Sequence, residues 1–338
     1  MLDNVNTPLE IGSRWEGPLF LVGMPRSGTK LLRNLLCRHP DIFIPAIETE
    51  FLPFVVNWVK KNGPPADEAA LQGLWTELQS SSYFDYRNQD SRPFSVTDWW
   101  NACAGRFDAA GLFEGFVRYE TGCNRETGAI WGDKSPTYVR HLELIYNEFP
   151  AAKIVHIVRD ARDYCLSIRK AWGKDMRRAA MRWDTDVSAA SDFVRSHPDR
   201  CTELHYESLI QSTEREMRAL CSFLQIDFHE QMLSPDRITE NLGDTKGLTE
   251  IVANNTGKFR VAMSQRDLRA VEALAWHSMK RLGYVPEAAK GPEQLGAVSL
   301  LARKMVDGVN LVARNVEKRG ILGATRFYLN HQLKSRGR

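Results

Sequence analysis

The sequence predicts an α/β fold in which a mainly parallel β-sheet is flanked by helices. Four short apolar runs have the composition of buried strands, and each is followed by turn or polar residues and then by a helical pattern. These runs are Leu19–Val22, Ala129–Trp131, Lys153–Val158 and Thr202–Tyr206. In open sheets of this kind, ligands bind at the carboxyl ends of the strands. The residues that follow each run are therefore candidates for a functional site.

Helices are predicted from the spacing of apolar residues. The first helix covers Lys30–Arg38 and presents four leucines on one face. The second covers Arg266–Leu282, with Ser264 as a start signal and Gly283 as a stop signal. Residues 54–128 are rich in aromatic side chains and show no strand alternation, so they predict a helical insertion.

The composition is that of an ordinary globular protein. The chain has 338 residues, of which 43% are hydrophobic and 26% charged, and these values exclude collagen-like, low-complexity and disulfide-scaffold classes. The net charge is only +3, which disfavours a nucleic-acid-binding protein. We predict one domain over residues 1–286 and a C-terminal extension over residues 287–338.

The cysteines and the N-terminal residues bear on the cellular compartment. The six cysteines show neither a C-x-x-C pair nor a Cys/His spacing typical of zinc, so they are predicted to be reduced thiols. Met1–Arg14 lacks the apolar run of a signal peptide, and no stretch of 18 apolar residues follows. The sequence therefore predicts a cytoplasmic protein.

The segment Gly23–Lys30 reads G-M-P-R-S-G-T-K and lies between a predicted strand and a predicted helix. In that position, backbone N–H groups and a helix N-terminus can bind a phosphate-like anion. The G-x-x-x-x-G spacing nearly matches the loop of nucleoside triphosphatases, but that motif continues with Lys before Ser/Thr, whereas Thr29 here precedes Lys30. A kinase or NTPase is thus an alternative that the residue order disfavours.

A second candidate phosphate site follows the run Lys153–Val158. Arg159 stands at the end of the predicted strand, and Ser167 follows eight residues later in the next predicted helix. A guanidinium group can bind a phosphate with two hydrogen bonds, and a hydroxyl on the helix can donate a third. The alternative is a structural pair between Arg159 and either Asp160 or Asp163.

These two motifs, in this order, resemble a known family. Pro25–Thr29 resembles the 5′-phosphosulfate loop of sulfotransferases that use 3′-phosphoadenosine 5′-phosphosulfate (PAPS), and Lys153–Ser167 resembles their 3′-phosphate motif. The chain is identified as a member of this family over roughly Leu19–Tyr284, with motifs closest to the tyrosylprotein, carbohydrate and bacterial types. The resemblance implies a P-loop-NTPase-like sulfotransferase fold and sulfonate transfer from PAPS, as co-substrate, to a hydroxyl group.

The resemblance also implies roles for individual residues. Trp131–Pro136 resembles a stretch whose lysine, here Lys134, reaches the sulfonate. Leu204–Leu209, followed by Met217–Leu224, resembles the family's strand and the helix after it, and Gly257–Arg260 resembles the loop that folds basic side chains over the nucleotide. The implied cofactor-binding residues are Arg26, Ser27, Gly28, Thr29, Lys30, Arg159, Ser167, Tyr206, Lys258 and Arg260. Arg26 and Lys134 would stabilise charge on the transferring group, and no metal is expected.

A hydroxyl acceptor must lose a proton, so a general base is expected near the sulfonate. Glu48 matches the position of the catalytic glutamate in tyrosylprotein and several carbohydrate sulfotransferases, and Glu50 is the alternative. Tyrosylprotein-type relatives carry an arginine where Glu50 stands, so an acidic peptide acceptor is disfavoured. The predicted acceptor is a carbohydrate, a lipid-linked molecule or another small hydroxylated molecule. A non-catalytic, membrane-associated nucleotide-binding protein is a further alternative.

The C-terminal extension has a composition of its own. From Lys290 to Arg338 it holds ten basic side chains against three acidic ones. Within it an apolar stripe recurs at helical spacing, formed by Val298, Leu301, Met305, Val309, Val312 and Val316. Such a helix would pack on the domain or on a second subunit, or it would lie on an anionic membrane. Residues 297–338 are therefore a candidate for peripheral membrane contact.

Overall fold

The computed structural model describes residues 15–79, 81–87, 93–239, 246–310 and 313. In these residues a parallel sheet of five strands, in the order β2-β3-β1-β4-β5, confirms the predicted fold class. The strands are β1 (Leu19–Gly23), β2 (Ile42–Phe43), β3 (Ile130–Lys134), β4 (Lys153–Val158) and β5 (Cys201–His205). The four predicted strands are all present, and the two-residue β2 is the strand that the sequence pattern does not predict.

The helices surround this sheet. They are α1 (Thr29–Leu36), α2 (Leu52–Asn62), α3 (Glu68–Leu78), α4 (Ser82–Arg87), α5 (Val96–Ala102), α6 (Ala109–Thr121), α7 (Leu142–Glu148), α8 (Ala161–Trp172), α9 (Met176–Ser196), α10 (Tyr206–Gln211), α11 (Thr213–Leu224), α12 (Phe259–Ala262), α13 (Gln265–Leu274) and α14 (Trp276–Arg281). Short 3₁₀ helices cover Arg125–Thr127, Pro136–Arg140 and Glu230–Leu233. A further helix at residues 297–310 is called the C-terminal helix below.

Helices cover both faces of the sheet, so both faces are buried. Side chains alternate between these two faces along each strand. Phe20 and Val22 of β1 lie in the cluster formed with α2–α6, α8 and α9, whereas Leu19 and Leu21 lie in the cluster formed with α1, α10 and α11. Helices α2–α6 occupy the segment predicted to be a helical insertion. Many aromatic side chains of that segment pack on one another and on the sheet. All six cysteines are free thiols.

The single helix predicted over Arg266–Leu282 is wrong, because the structure has α13 and α14 with a break at Ala275. The break follows from contacts with α9. The Ser278 N–H donates to a carboxylate oxygen of Asp184 at 3.0 Å, and its hydroxyl donates to the Asp184 carbonyl at 3.1 Å. These long-range bonds replace the regular helical bond of that N–H group. The start signal is confirmed, since Ser264 accepts from the Asp267 N–H at 3.1 Å.

The strand register places the candidate residues at one edge of the sheet. Gly23 of β1 lies opposite Ile157 of β4, and Val158 of β4 lies opposite His205 of β5. All strands are parallel, so their carboxyl ends face the same direction. The loop after β1, the last residue of β3 and the residues after β4 and β5 therefore lie along a common edge.

Candidate active site

The loop between β1 and α1 has the geometry of an anion-binding loop. The Ser27 N–H donates to the Met24 carbonyl at 3.1 Å, and Arg26 and Gly28 adopt positive φ angles of 75° and 92°. Helix α1 then begins with buried Thr29 and half-buried Lys30, and its first turn holds no acidic side chain. The Ser27 hydroxyl is fully buried and has no hydrogen-bond partner in the described residues. An anion at this helix N-terminus would satisfy the N–H groups and that hydroxyl.

The structure brings the two predicted phosphate motifs into direct contact. Arg26 Nε donates to the Ser167 hydroxyl at 3.2 Å, although 141 residues separate them. Arg159 Nη1 donates to the Arg26 carbonyl at 3.1 Å. The Arg159 side chain is buried, and its Nε has no partner in the described part of the chain. Arg26, Ser167 and Arg159 therefore form one connected group with an unsatisfied donor.

Tyr206 closes this group on the side of β5. The Arg159 guanidinium lies 4.5 Å from the centre of the Tyr206 ring, a cation–π contact. Asn255 donates from Nδ2 to the Tyr206 hydroxyl at 2.7 Å, and its carbonyl accepts from Arg159 Nη2 at 2.8 Å. A Cβ atom on Gly28 would come within 2.3 Å of the Tyr206 ring. The glycine thus allows the ring to lie against the anion-binding loop, and Asn255 is a contributor that the sequence motifs do not indicate.

Lys258 adds a second cation near Arg159. Its loop is held by Asp163, whose carboxylate accepts from the Gly257 N–H at 2.6 Å and from the Phe259 N–H at 3.0 Å. Burial lowers the pKa of Lys258, and the nearby Arg159 lowers it further. Two cations held close together in this way favour a bound anion. Arg260 of the same loop instead pairs with Glu287 at 2.6 Å and is largely exposed.

Glu48 and Lys134 form an ion pair at the end of β3, with Nζ and Oε1 2.5 Å apart. Lys134 lies in register with Leu21 of β1, so the pair is near the start of the anion-binding loop. The Lys134 side chain is buried, whereas the Glu48 side chain is 42% exposed. Glu50 accepts from the Thr137 hydroxyl at 3.2 Å. The direct pairing with the lysine distinguishes Glu48 from Glu50 as the candidate base.

Arg33 positions the loop that carries Glu48. This buried arginine of α1 donates from Nη1 to the carbonyls of Pro45 at 3.1 Å and Ala46 at 2.6 Å. Helix α1 therefore begins at the anion-binding loop, and its Arg33 holds the loop that carries Glu48. The sequence gives one signal of this role, an arginine flanked by the apolar face of a short helix, but its partners are not predictable from spacing.

Asp133, the neighbour of Lys134, is completely buried. Its carboxyl oxygens have no hydrogen-bond partner of good geometry in the described residues, although the hydroxyls of Ser135 and Thr49 are close enough to influence it. Burial raises the pKa of Asp133 to about 7 against the opposing effect of these hydroxyls. Among the described residues, no three His, Cys, Asp or Glu side chains are grouped as a metal site requires.

The hydroxyls next to Asp133 hold the backbone that follows Glu48. Ser135 Oγ accepts from the Glu50 N–H at 3.2 Å, and Tyr138 Oη accepts from the Leu52 N–H at 2.9 Å. Thr49 joins this network through Tyr138 at 2.8 Å. A buried carboxyl group therefore lies beneath the loop that carries the candidate base.

Comparison with known proteins agrees with this geometry. The family model described as "Sulfotransferase family" matches residues 18–230. Protein-tyrosine sulfotransferase 1 of Danio rerio is 26% identical over 313 residues, which cover 84% of this chain and 77% of that protein. Protein-tyrosine sulfotransferase A of Caenorhabditis elegans is 25% identical over 312 residues, which cover 86% of this chain and 73% of that protein.

A solved structure shows the same fold. The sulfotransferase domain from the curacin biosynthetic pathway has a TM-score of 0.55 at 19% identity, and the match covers 81% of this chain and 100% of that chain. The family match is independent of this likeness in fold and extends from β1 to the 3₁₀ helix after α11. Because the match covers more than half of the sequence, the chain belongs to the sulfotransferase family.

Proposed function

We propose that this sulfotransferase transfers the sulfonate group of PAPS to a hydroxyl group of its acceptor. The observation that carries the proposal is the meeting of Arg26, Ser167 and Arg159 in one connected group, at the sheet edge that also holds the Glu48–Lys134 pair. Family membership favours this reaction over the kinase alternative, in agreement with the order of Thr29 and Lys30.

The residues present fit PAPS, which carries a 5′-phosphosulfate and a 3′-phosphate. The unsatisfied Ser27 hydroxyl and the N-terminus of α1 suit the first anion. The unsatisfied Nε of Arg159, together with Lys258 and Ser167, suits the second. Tyr206 lies between the two sets, against Gly28 on one side and Arg159 on the other. The resemblance also assigns Arg260 to the 3′-phosphate, and this role stays a prediction.

Arg26, Lys134 and Glu48 have separate roles in the proposed sulfonate transfer. Bound PAPS supplies an activated sulfonate and a phosphate leaving group. Arg26 and Lys134 place positive charge where the transferring group and the leaving oxygen carry negative charge. Glu48 takes the proton of the acceptor hydroxyl, and its pairing with Lys134 holds base and cation within one hydrogen bond of each other.

The proposed acceptor is a carbohydrate, a lipid-linked molecule or another small hydroxylated molecule. The relatives named above are described as acting on protein tyrosine. Here Glu50 stands where tyrosylprotein-type relatives carry an arginine, and its charge would repel an acidic peptide around a target tyrosine. A panel of PAPS acceptors should therefore show higher turnover for neutral hydroxylated molecules than for acidic tyrosine peptides. Preferred turnover of an acidic peptide would contradict this choice of acceptor.

The donor site is tested by calorimetric titration with 3′-phosphoadenosine 5′-phosphate (PAP), the desulfonated product. We expect PAP to bind much more tightly than ADP or ATP, because only PAP has the 3′-phosphate that Arg159 and Lys258 would hold. Arg159→Ala should lose most of this preference, whereas Arg218→Ala, on the exposed surface of α11, should retain it. A preference for ATP in the wild type would overturn the proposal.

A further inference from the structure

The C-terminal helix is attached to the domain through its polar side. Arg303 pairs with Asp175 at 2.6 Å, and Asp307 pairs with Arg178 and accepts from the Asp175 N–H at 2.6 Å. Asn310 donates to the Gly173 carbonyl at 3.0 Å. All of these partners lie at the junction between α8 and α9. The polar side of the helix is therefore already occupied by the domain.

The segment before the helix is also fixed to the domain. The buried carboxylate of Glu272 accepts from the N–H groups of Glu287, Ala288 and Ala289 at 2.7–2.8 Å. Although burial opposes it, these N–H groups and Arg162 lower the pKa of Glu272. The domain therefore holds both the C-terminal helix and the segment that leads to it.

Because the polar side faces inward, the apolar side faces outward. The exposed fractions are 84% for Val298, 61% for Leu301, 65% for Met305 and 67% for Val309. An amphipathic helix of a globular domain normally buries such a stripe against the core. A contiguous exposed apolar surface indicates an interaction site. The other two members of the predicted stripe, Val312 and Val316, lie outside the described residues.

The surroundings of this apolar face are basic. Residues 169–182, which include the docking junction, hold six cations against the single acidic residue Asp175; the cations are Arg169, Lys170, Lys174, Arg177, Arg178 and Arg182. Burial lowers the pKa of Lys174, and the nearby Arg182 and Arg178 add to this effect. Asp307, Asp267 and Asp186 pair with three of these cations, so the described residues around the junction keep a smaller net positive charge.

We infer that the apolar face of residues 297–310, with the basic α8–α9 junction, binds the surface of an anionic membrane. Acyl chains would cover the apolar stripe, and lipid phosphates and carboxylates would neutralise the cations. A second copy of the chain fits less well, because a symmetric contact would bring the same cations against one another. No described helix has the length and apolar content needed to cross a bilayer.

The surface lies close to the candidate active site along α8. Ser167 and Gly173 are six residues apart, which is about 9 Å of helix. Attachment through this surface would therefore hold the site near the lipid headgroups, where a lipid-linked acceptor would be available. The inference concerns binding and does not depend on sulfonate transfer.

Vesicle sedimentation of the full chain tests this inference. We expect sedimentation with phosphatidylcholine vesicles that contain about 30% phosphatidylserine, and little with phosphatidylcholine alone. Met305→Glu should weaken binding about tenfold or more, because it removes an apolar contact and adds a repulsive charge. Val285→Glu is the matched control, since Val285 is 73% exposed outside the helix and the change in charge is the same.

Any of the following four results would overturn the inference. Wild type that stays in the supernatant with both vesicles would exclude a membrane surface, and equal binding to both vesicles would exclude an anionic one. Unchanged sedimentation of Met305→Glu would show that another surface binds. A dimer in sedimentation velocity that Met305→Glu dissociates would assign the face to a second copy. Calorimetry with PAP on the same samples tests the donor site separately. A failure of the membrane inference is therefore distinguished from a failure of the proposed function.

Discussion

At the scale of single residues, the candidate base and the candidate cation come from distant parts of the chain. Glu48 and Lys134 are 86 residues apart and meet because β2, which precedes Glu48, and β3, which ends at Lys134, are neighbours in the sheet. Arg33 holds the backbone before Glu48, and Ser135 holds the backbone after it. The glutamate is therefore the exposed side chain of a loop that is fixed on both sides, as a positioned base requires.

Glu48→Gln should lower kcat by a factor of about 10²–10⁴, the usual contribution of a general base. The amide can still accept from Lys134, so we expect PAP affinity close to that of the wild type. Glu50→Gln is the matched control, because Glu50 accepts from Thr137 and has no proposed contact with the reacting groups. Steady-state kinetics and calorimetry would measure both effects. An equal loss of turnover and PAP affinity in Glu48→Gln would contradict the assignment.

Asp133 makes the stability of the folded chain depend on pH. Its pKa is raised from 3.8 to about 7, so the folded chain holds this proton more tightly than the unfolded chain does. The contribution to stability is complete below about pH 4 and is lost as the pH rises to about 7. Asp133→Asn replaces only the titrating carboxyl group, so the charged neighbours Lys134 and Glu48 and the nearby hydroxyls are the same residues in both proteins.

Asp133→Asn should therefore gain stability relative to the wild type as the pH rises. Between about pH 5.5 and 8.5 the difference in the free energy of unfolding should change by about 2 kcal/mol in favour of the variant. Urea unfolding at the two pH values measures this change, and groups that titrate in both proteins cancel in the comparison. A constant difference would show that the carboxyl group does not titrate in this range.

The residues that sequence reasoning could and could not identify differ in a physical way. Arg159 and Ser167 are predictable because a strand end and the following helix place them on one side by local geometry. Arg33, Asp133 and Asn255 act through partners at least 12 residues away or through burial. Local spacing carries no information about such contacts, since they depend on which strands become neighbours in the sheet.

At the scale of secondary structure, the sequence pattern predicts where helices and strands lie better than it predicts where they are interrupted. The Ser264 cap and the apolar spacing after it identify α13, but the bonds from Ser278 to Asp184 end the regular pattern at Ala275. Strand β2 has only two residues, too few for an alternation to be recognised. The turn between β1 and α1 is predictable, because its two glycines and its position between a strand and a helix are visible in the sequence.

Gly28→Ala tests that turn. The alanine would take a positive φ angle and place its Cβ within 2.3 Å of the Tyr206 ring. Gly122→Ala is a matched control, because Gly122, like Gly28, has a left-handed backbone conformation and no atom lies within 4 Å of its Cβ position. Both variants should lose about 1–2 kcal/mol of stability from the backbone. Only Gly28→Ala should lose PAP affinity, by about tenfold or more, because the displaced ring also contacts Arg159. Equal PAP affinity in the two variants would show that the ring is not part of the donor site.

At the scale of the whole molecule, the candidate donor site connects elements that are far apart in sequence. Arg26 follows β1, Arg159 follows β4, Tyr206 follows β5 and Asn255 precedes α12. Two buried donors in this group, on Ser27 and Arg159, have no partner in the described part of the chain. A ligand that satisfies them would join these elements and would bind the folded chain much better than the unfolded one.

PAP should therefore raise the melting temperature of the whole chain. At about 100 times its dissociation constant, a ligand specific for the folded state adds about 2.7 kcal/mol of stability, or about 4 °C for a chain of this size. Differential scanning calorimetry should show a smaller shift with the same concentration of ADP, and a similarly small shift with PAP in Arg159→Ala. An equal shift with ADP would mean that the 3′-phosphate is not recognised. In that case the contact between Arg159 and the Arg26 carbonyl would serve only to join β4 to the loop after β1.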